Sequence, residues 1–188
     1  MLCSNGYSKD IDDFVQHKHG FSNRGRQVEY NYVEPEPTNT PESLLANIGK
    51  RRDFCLKALD ADFVFTIDAD AKILDREMFS AIDSELNRTQ KKLCIYKILC
   101  DASPTNVLPI FPITFARIDA LNFCIDAKVA KQVGYPSDVS PTLFGNEFRY
   151  LYGAYRICNR DYLFINRVFA KWNGNRRYEN LLKLRVQH

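Results

Sequence analysis

The sequence lacks the features that mark membrane-spanning, disulfide-stabilised and nucleic-acid-binding proteins. Its longest apolar stretch, residues 107–116, is too short to span a bilayer and contains two prolines. The chain has six cysteines but no C-x-x-C pair, and most of them lie among apolar neighbours, so we expect buried free thiols in a reducing compartment. A formal net charge of +3 is too small to indicate a nucleic-acid partner.

The start of the sequence shows no secretory signal. We therefore expect a cytoplasmic protein without a transmembrane segment. Basic residues cluster mildly toward the C-terminal end, and such a cluster suits a phosphate-bearing ligand or an anionic membrane surface. Peripheral attachment to a membrane stays open for this reason. A length of 188 residues predicts a single domain, 1–188, with an ordinary hydrophobic core.

Residues 62–74 contain the most informative pattern in the chain. Residues 63–67 are aromatic or β-branched on both faces, which predicts a buried central strand covered by helices on either side. Asp68 and Asp70 follow directly, at the edge of an α/β sheet where ligands bind. Residues two apart on an extended chain point the same way, so the two carboxylates can bind one Mg²⁺ or Mn²⁺ ion. The alternative is an ordinary acidic turn after a strand.

Strands and helices alternate along most of the chain, which predicts an α/β fold with a mostly parallel central sheet. The strongest helix patterns cover residues 41–59, 76–87, 127–133 and 148–157. Strand patterns cover residues 93–99, 121–125 and 162–171. Residues 110–118 read as a strand interrupted by proline, which is better placed at a sheet edge than at its centre.

Several short motifs follow one another along the chain. They are S-N-G-Y-S-K-D at 4–10, N-I-G-K-R-R at 47–52, I-D-A-D at 67–70, V-G-Y at 133–135 and F-G-N-E at 144–147. Their order resembles that of a family 2 glycosyltransferase with the GT-A nucleotide-sugar fold. The resemblance implies a three-layer sandwich that lacks or has shortened the family's first βα unit. It also implies transfer of a sugar, a hexosyl or deoxyhexosyl group, from a nucleotide diphosphate donor to a glycan or other hydroxyl acceptor.

The resemblance also assigns roles to residues on the donor side. Asp68 and Asp70 would hold the divalent metal, Mn²⁺ or Mg²⁺, and would bind the donor through it. Asn5 and Arg52 would contact the nucleotide sugar, for which a UDP-sugar is favoured. The alternative for Arg52 is a solvated helix face shared with its basic neighbours.

On the acceptor side, the resemblance makes Glu147 the general base of an inverting displacement. The alternative for Glu147, which is compatible with that role, is an acidic residue that favours a helix N-terminus. Asp119 is an acceptor-side candidate and a weaker substitute for the base. Trp172 would line the acceptor site, since aromatic rings stack on sugars, and its alternative is a core tryptophan.

Two other functions stay open. A strand followed by D-x-D also occurs in phosphohydrolases of the haloacid dehalogenase type. In those enzymes the motif has threonine or valine four residues after the nucleophile, where this sequence has Lys72. A non-catalytic relative that binds a nucleotide sugar is the second alternative.

Overall fold

The computed structural model describes residues 2–4, 30–32, 41–67, 71–101, 103, 105–113, 117–138 and 145–172. Asn5, Asp68 and Asp70, which the sequence assigns to the donor and metal sites, lie outside these residues. The predictions made for them therefore stay predictions.

Helices occupy nearly the predicted positions. In chain order, the described elements are β1 (Leu2–Ser4), β2 (Tyr30–Tyr32), α1 (Pro41–Ala58), β3 (Phe63–Phe65), β4 (Ala71–Ile73), α2 (Met78–Thr89), β5 (Leu93–Cys100), β6 (Val107–Leu108), β7 (Phe123–Asp126), α3 (Ala127–Val133), α4 (Gly145–Ile157) and β8 (Leu163–Trp172). A 3₁₀ turn, Ala120–Asn122, immediately precedes β7.

Two strand predictions need correction, and one strand was missed. Residues 63–67 do not form a buried central strand, because β3 covers only Phe63–Phe65, is half-buried and lies at one end of the strand order of the main sheet. The described part of residues 110–118 contains no strand, and the short strand β6 lies before it. Pro109 and Pro112 each lack a backbone donor, which prevents a regular ladder through this segment. Strand β4 has only three residues, which is too short for an alternating pattern to be recognised in the sequence.

The main sheet is mixed, which corrects the prediction of a mostly parallel sheet. Its strand order is β3-β7-β5-β8-β4, with β6 paired to β5, while β1 and β2 form a separate parallel pair. Within the main sheet β5 and β8 are parallel, whereas β3–β7, β7–β5, β5–β6 and β8–β4 are antiparallel. Apolar strands buried on both faces look alike in sequence whatever the direction of their neighbours, because direction is set by the connections.

Helices cover the two faces of the main sheet and form two hydrophobic cores. Strand β5 shows the alternation, since Leu93 and Ile95 belong to the first core and Cys94 and Tyr96 to the second. Residues of α1, α3 and α4 complete the first core, and α2 supplies Met78, Ile82 and Leu86 to the second. This arrangement confirms the predicted three-layer α/β fold.

Only a short connection joins β3 and β4. These strands lie at opposite ends of the strand order, yet only residues 66–70 connect them. Such a connection reaches at most about 20 Å, which is close to the width of four strand spacings in a flat sheet. The sheet is in fact curled.

The cysteines match the prediction of buried free thiols in part. Cys94, Cys100 and Cys124 are buried free thiols, whereas Cys55 and Cys158 are half-buried. Cys94 and Cys124 lie opposite each other on β5 and β7, and both are fully buried. Burial raises the pKa of the Cys94 thiol to about 12, with a smaller contribution from the charge of Glu85. These two thiols are therefore core residues that stay protonated at neutral pH.

Candidate active site

Asp119 lies at the edge of the sheet where β3 ends. Strand β3 runs antiparallel to β7, with Phe65 opposite Cys124, so the end of β3 lies beside the start of β7. Asp119 caps the 3₁₀ turn that leads into β7, and its Oδ1 accepts a hydrogen bond from the backbone N–H of Leu121 at 2.8 Å. Asp119 is thus placed at the same edge as the strand exit that leads to the D-x-D motif.

Trp172 is the last residue of β8 and lies opposite Ala71 on β4. Ala71 is the residue directly after Asp70 in the sequence. Cross-strand partners have Cβ atoms about 5 Å apart, so Trp172 is a neighbour of the segment that leaves the D-x-D motif. Its side chain is half-buried and packs against the second core. The packing agrees with the interpretation of Trp172 as a core residue, and its role in acceptor binding stays a prediction.

Helix α1 packs directly against the turn that follows α3. A Cβ atom on Gly49 would lie 2.3 Å from the carbonyl oxygen of Pro136, so only glycine allows this approach. Gly134 ends α3 with a φ of 69°, a left-handed conformation that glycine adopts without strain. Asp126 caps the start of the same helix, accepting from two backbone N–H groups at 3.0 Å. Both ends of α3 therefore match their sequence signals, and they fix the turn beside α1.

Arg52, Tyr135 and Glu147 form a cluster at the junction of α1, this turn and α4. The Arg52 Nη1 donates a hydrogen bond to Glu147 Oε1 at 3.0 Å and another to the Tyr135 hydroxyl. The side chains of Arg52 and Glu147 are only 16% and 26% exposed, so this ion pair is partly shielded from solvent. The predicted donor residue and the predicted base are therefore in direct contact.

Tyr135 is the site residue that sequence reasoning missed. It is 5% exposed, and its ring lies 4.8 Å from that of Tyr150, whose pKa burial raises. Its backbone N–H donates to Asp53 Oδ1 at 3.0 Å, so the residue next to Arg52 also holds the turn. The only sequence signal for Tyr135 is its place in the V-G-Y motif, which marks a turn and indicates no partner.

The first turn of α4 carries a buried asparagine beside the cluster. Asn146 is 8% exposed, and its Oδ1 has no hydrogen-bond partner among the residues that the structure describes. One turn further on, Arg149 binds Asp138 through both guanidinium nitrogens, at 2.9 and 3.0 Å, and these hydrogen bonds lower the pKa of the Asp138 carboxyl. The helix start is thus tied to the segment that follows the V-G-Y turn.

An open polar groove of about 510 Å³ borders the cluster. Tyr135 lines it together with Asp53, Asp138 and Arg149. The ion pair between Lys57 and Asp53, at 2.6 Å, lies along the same groove. Its walls therefore offer hydrogen-bonding groups of both signs, and Tyr135 is the residue of the cluster that lines it.

The described part of the chain does not decide the metal prediction. Within it, no group of three or more His, Cys, Asp or Glu side chains is arranged to hold a metal ion. Asp68 and Asp70 lie outside that part, and metal binding at the D-x-D motif stays a prediction. None of the described helices is both long enough and apolar enough to cross a membrane.

The layers and the mixed, curled sheet form a fold that is similar to that of GT-A glycosyltransferases. The chain is similar in structure to S. aureus TarS, a glycosyltransferase of this type. A crystal structure of TarS 1–349 matches with a TM-score of 0.62 and 12% identity, covering 97% of this chain and 53% of that one. A second TarS crystal structure matches with a TM-score of 0.60 and 13% identity, covering 98% of this chain and 32% of that one.

The comparison with TarS concerns the fold. The chain spans about half the length of the shorter TarS structure and about a third of the longer one. No protein-family model and no curated protein matches the sequence. Assignment to glycosyltransferase family 2 therefore remains a prediction from the motifs.

Proposed function

We propose that this protein is a glycosyltransferase that moves a hexosyl or deoxyhexosyl group from a nucleotide diphosphate sugar, with a UDP-sugar favoured, to an acceptor hydroxyl. The observation that carries the proposal is the meeting of Arg52, Tyr135 and Glu147. These residues come from three separate motifs of the glycosyltransferase resemblance, 83 and 95 residues apart in the chain. The similarity of the fold to TarS supports the same class.

Glu147 is the proposed general base. Its carboxylate would take the proton of the acceptor hydroxyl as that oxygen attacks the anomeric carbon from the face opposite the leaving group. One such displacement inverts the configuration at the anomeric carbon. The groove beside Tyr135 and Asp53 is open and polar, which suits an acceptor rich in hydroxyl groups. Asp119 and Trp172 would contribute to the acceptor side from the sheet edge where β3 ends.

Asp68 and Asp70 are the proposed ligands of a Mn²⁺ or Mg²⁺ ion, because carboxylate oxygens suit these hard cations. A bound cation would offset the negative charge that the departing nucleoside diphosphate gains. In the sequence, the two aspartates fall between β3 and β4. Asn5 is the remaining proposed donor contact.

The test is a screen of nucleotide sugars in Mn²⁺, with release of nucleoside diphosphate as the measured product. Wild-type protein should release it slowly to water and faster with a hydroxyl acceptor. The Glu147→Gln variant should bind UDP with unchanged Kd but transfer the sugar about 10²–10⁴ times more slowly. The control is Asp60→Ala, which removes an exposed acidic residue from the loop before β3.

Three outcomes would contradict the proposal. Cleavage of a simple phosphate ester without release of nucleoside diphosphate would indicate the phosphohydrolase. Metal-dependent UDP binding without turnover of any nucleotide sugar would indicate the non-catalytic relative. A near-normal transfer rate in Glu147→Gln would move the base to another residue, with Asp119 next to be tested.

A further inference from the structure

Arg52 makes contacts that differ from the donor contact expected by resemblance. Its Nη1 bonds Glu147 Oε1 at 3.0 Å and also the Tyr135 hydroxyl. Its guanidinium carbon lies 5.1 Å from the centre of the Tyr135 ring. An arginine that is packed on a ring and bonded to a hydroxyl has few rotamers left, so it presents Nη1 to the carboxylate from a fixed position.

Tyr135 is itself held in place on two sides. Its backbone N–H bonds Asp53 Oδ1 at 3.0 Å, and its ring packs on Tyr150 of α4 at 4.8 Å. Asp53 follows Arg52 directly on α1, so adjacent residues of one helix bind the backbone and the hydroxyl of the same tyrosine. The position of Arg52 relative to the turn is therefore fixed at two points.

Glu147 is bound through one of its two carboxylate oxygens. Among the described residues, the hydrogen-bond partner of this side chain is Arg52, and the bond is to Oε1. Such a contact restricts the rotation of the carboxylate and leaves Oε2 to accept a proton. A base held in this way meets the attacking hydroxyl in one orientation, and displacement of a catalytic group by 1 Å can cost about 10²-fold in rate.

We infer that Arg52, held by Tyr135, is a positioning residue that orients the carboxylate of Glu147. This inference rests on the proposed function, because it gives the base of that reaction its orientation. It assigns Arg52 an effect on the rate of transfer, whereas a donor-binding arginine would change the affinity for the nucleotide. It also adds Tyr135 to the residues that determine the rate.

A double-mutant cycle in rate separates these roles. The variants are Arg52→Gln, Glu147→Gln and the double substitution, measured for kcat with the nucleotide sugar found in the screen and for UDP Kd in Mn²⁺ by titration calorimetry. Arg52→Gln alone should lower kcat about 10²-fold, with Kd changed by less than about threefold. In the Glu147→Gln background it should cause no further loss, because a residue acting through the base has no effect once the base is gone.

Conservative variants and a matched control keep the test independent of folding. Arg52→Lys keeps the charge and should retain more activity than Arg52→Gln, and Tyr135→Phe should lower kcat several-fold without changing UDP Kd. The control is Arg88→Gln, which removes an arginine–glutamate pair with Glu85 on α2. If Arg52→Gln does not fold, Arg52→Lys and Tyr135→Phe carry the same test, each alone and combined with Glu147→Gln.

Several results would overturn the inference. A UDP Kd raised tenfold or more with nearly normal kcat would make Arg52 a donor contact. If Arg52→Gln lowers kcat by the same factor in the wild-type and Glu147→Gln backgrounds, Arg52 acts independently of Glu147. A fall in kcat no larger than that caused by Arg88→Gln would also overturn the inference. If the wild-type protein releases no nucleoside diphosphate from any sugar nucleotide, the proposed function fails first and the inference falls with it.

Discussion

Replacing Gly49 with alanine should destabilise the protein, although alanine favours helices. Gly49 lies within α1, where alanine is better than glycine by about 1 kcal/mol in helix propensity. The added Cβ would lie 2.3 Å from the carbonyl oxygen of Pro136 and 2.8 Å from the Cα of Ser137. Both contacts are to backbone atoms, so no side-chain rotation can relieve them. Helix α1 would have to move away from the turn.

The size of the effect follows from these two opposing terms. Overpacking of a buried contact costs about 1–3 kcal/mol, and a backbone clash this close belongs at the upper end of that range. After the gain in helix propensity is subtracted, Gly49→Ala should lower the free energy of unfolding by about 1–2 kcal/mol. In a domain of this size, each 1 kcal/mol lowers Tm by about 2–4 °C. The transfer rate should fall as well, because the turn that would move carries Tyr135.

Thermal unfolding followed by circular dichroism measures this prediction. The matched control is Gly153→Ala, whose Cβ would lie 2.6 Å from Cγ1 of Val133. That neighbour is a side-chain atom, which adjusts more readily than backbone, so the control should lose less stability than Gly49→Ala. A Tm for Gly49→Ala equal to or above that of the wild-type protein would refute the close packing of α1 on the turn.

Three further predictions concern the metal, a surface ion pair and a buried thiol. EDTA should abolish UDP binding by the wild-type protein, and Asp70→Ala should bind UDP equally weakly with and without Mn²⁺. If calorimetry shows that the wild-type protein binds UDP equally well without metal, the metal role is contradicted. Arg88→Gln removes an exposed pair with Glu85 and should leave the midpoint of urea unfolding nearly unchanged, and a clearly lower midpoint would contradict this. Because burial raises the pKa of Cys94 to about 12, the unfolded chain loses this proton first as pH rises. Stability should therefore fall above about pH 9, by up to about 1.4 kcal/mol per pH unit. Cys94→Ala should reduce this slope, and an unchanged slope would assign it to other groups.

The parts of the fold that the sequence predicts well are those with local signals. Helix α3 is an example, since Asp126 caps its start and Gly134 ends it, and both signals involve residues within a few positions of the helix. Strand β5 is recognisable because its apolar residues are buried on both faces of the sheet. The direction of its neighbours has no local signal, which is why the sequence favours a parallel sheet and the structure has a mixed one.

The candidate site follows the same division. The order of the motifs is enough to propose Arg52 and Glu147 as candidate site residues. It does not predict that they contact each other, because they are 95 positions apart in the chain. Whether Arg52 faces solvent, a nucleotide or a carboxylate depends on how α1 packs against the V-G-Y turn. That packing depends on the absence of a side chain at Gly49 and on Asp53 reaching the backbone of Tyr135. Neither contact leaves a periodic trace in the sequence.

The division of the interior into two cores has a consequence for how the protein responds to its substrates. Tyr135 packs in the first core, with α1 and α4, whereas Ala71 and Trp172, at the exit of the acidic motif, pack against the second. A donor bound near Ala71 and Trp172 would contact residues that pack against the second core, and an acceptor bound at Glu147 would contact the cluster that packs in the first. The two substrates together would therefore stabilise both faces of the sheet. Hydrogen exchange should then slow in α2 and α4 at once when both substrates are present, and in one of these helices at a time when either is supplied alone.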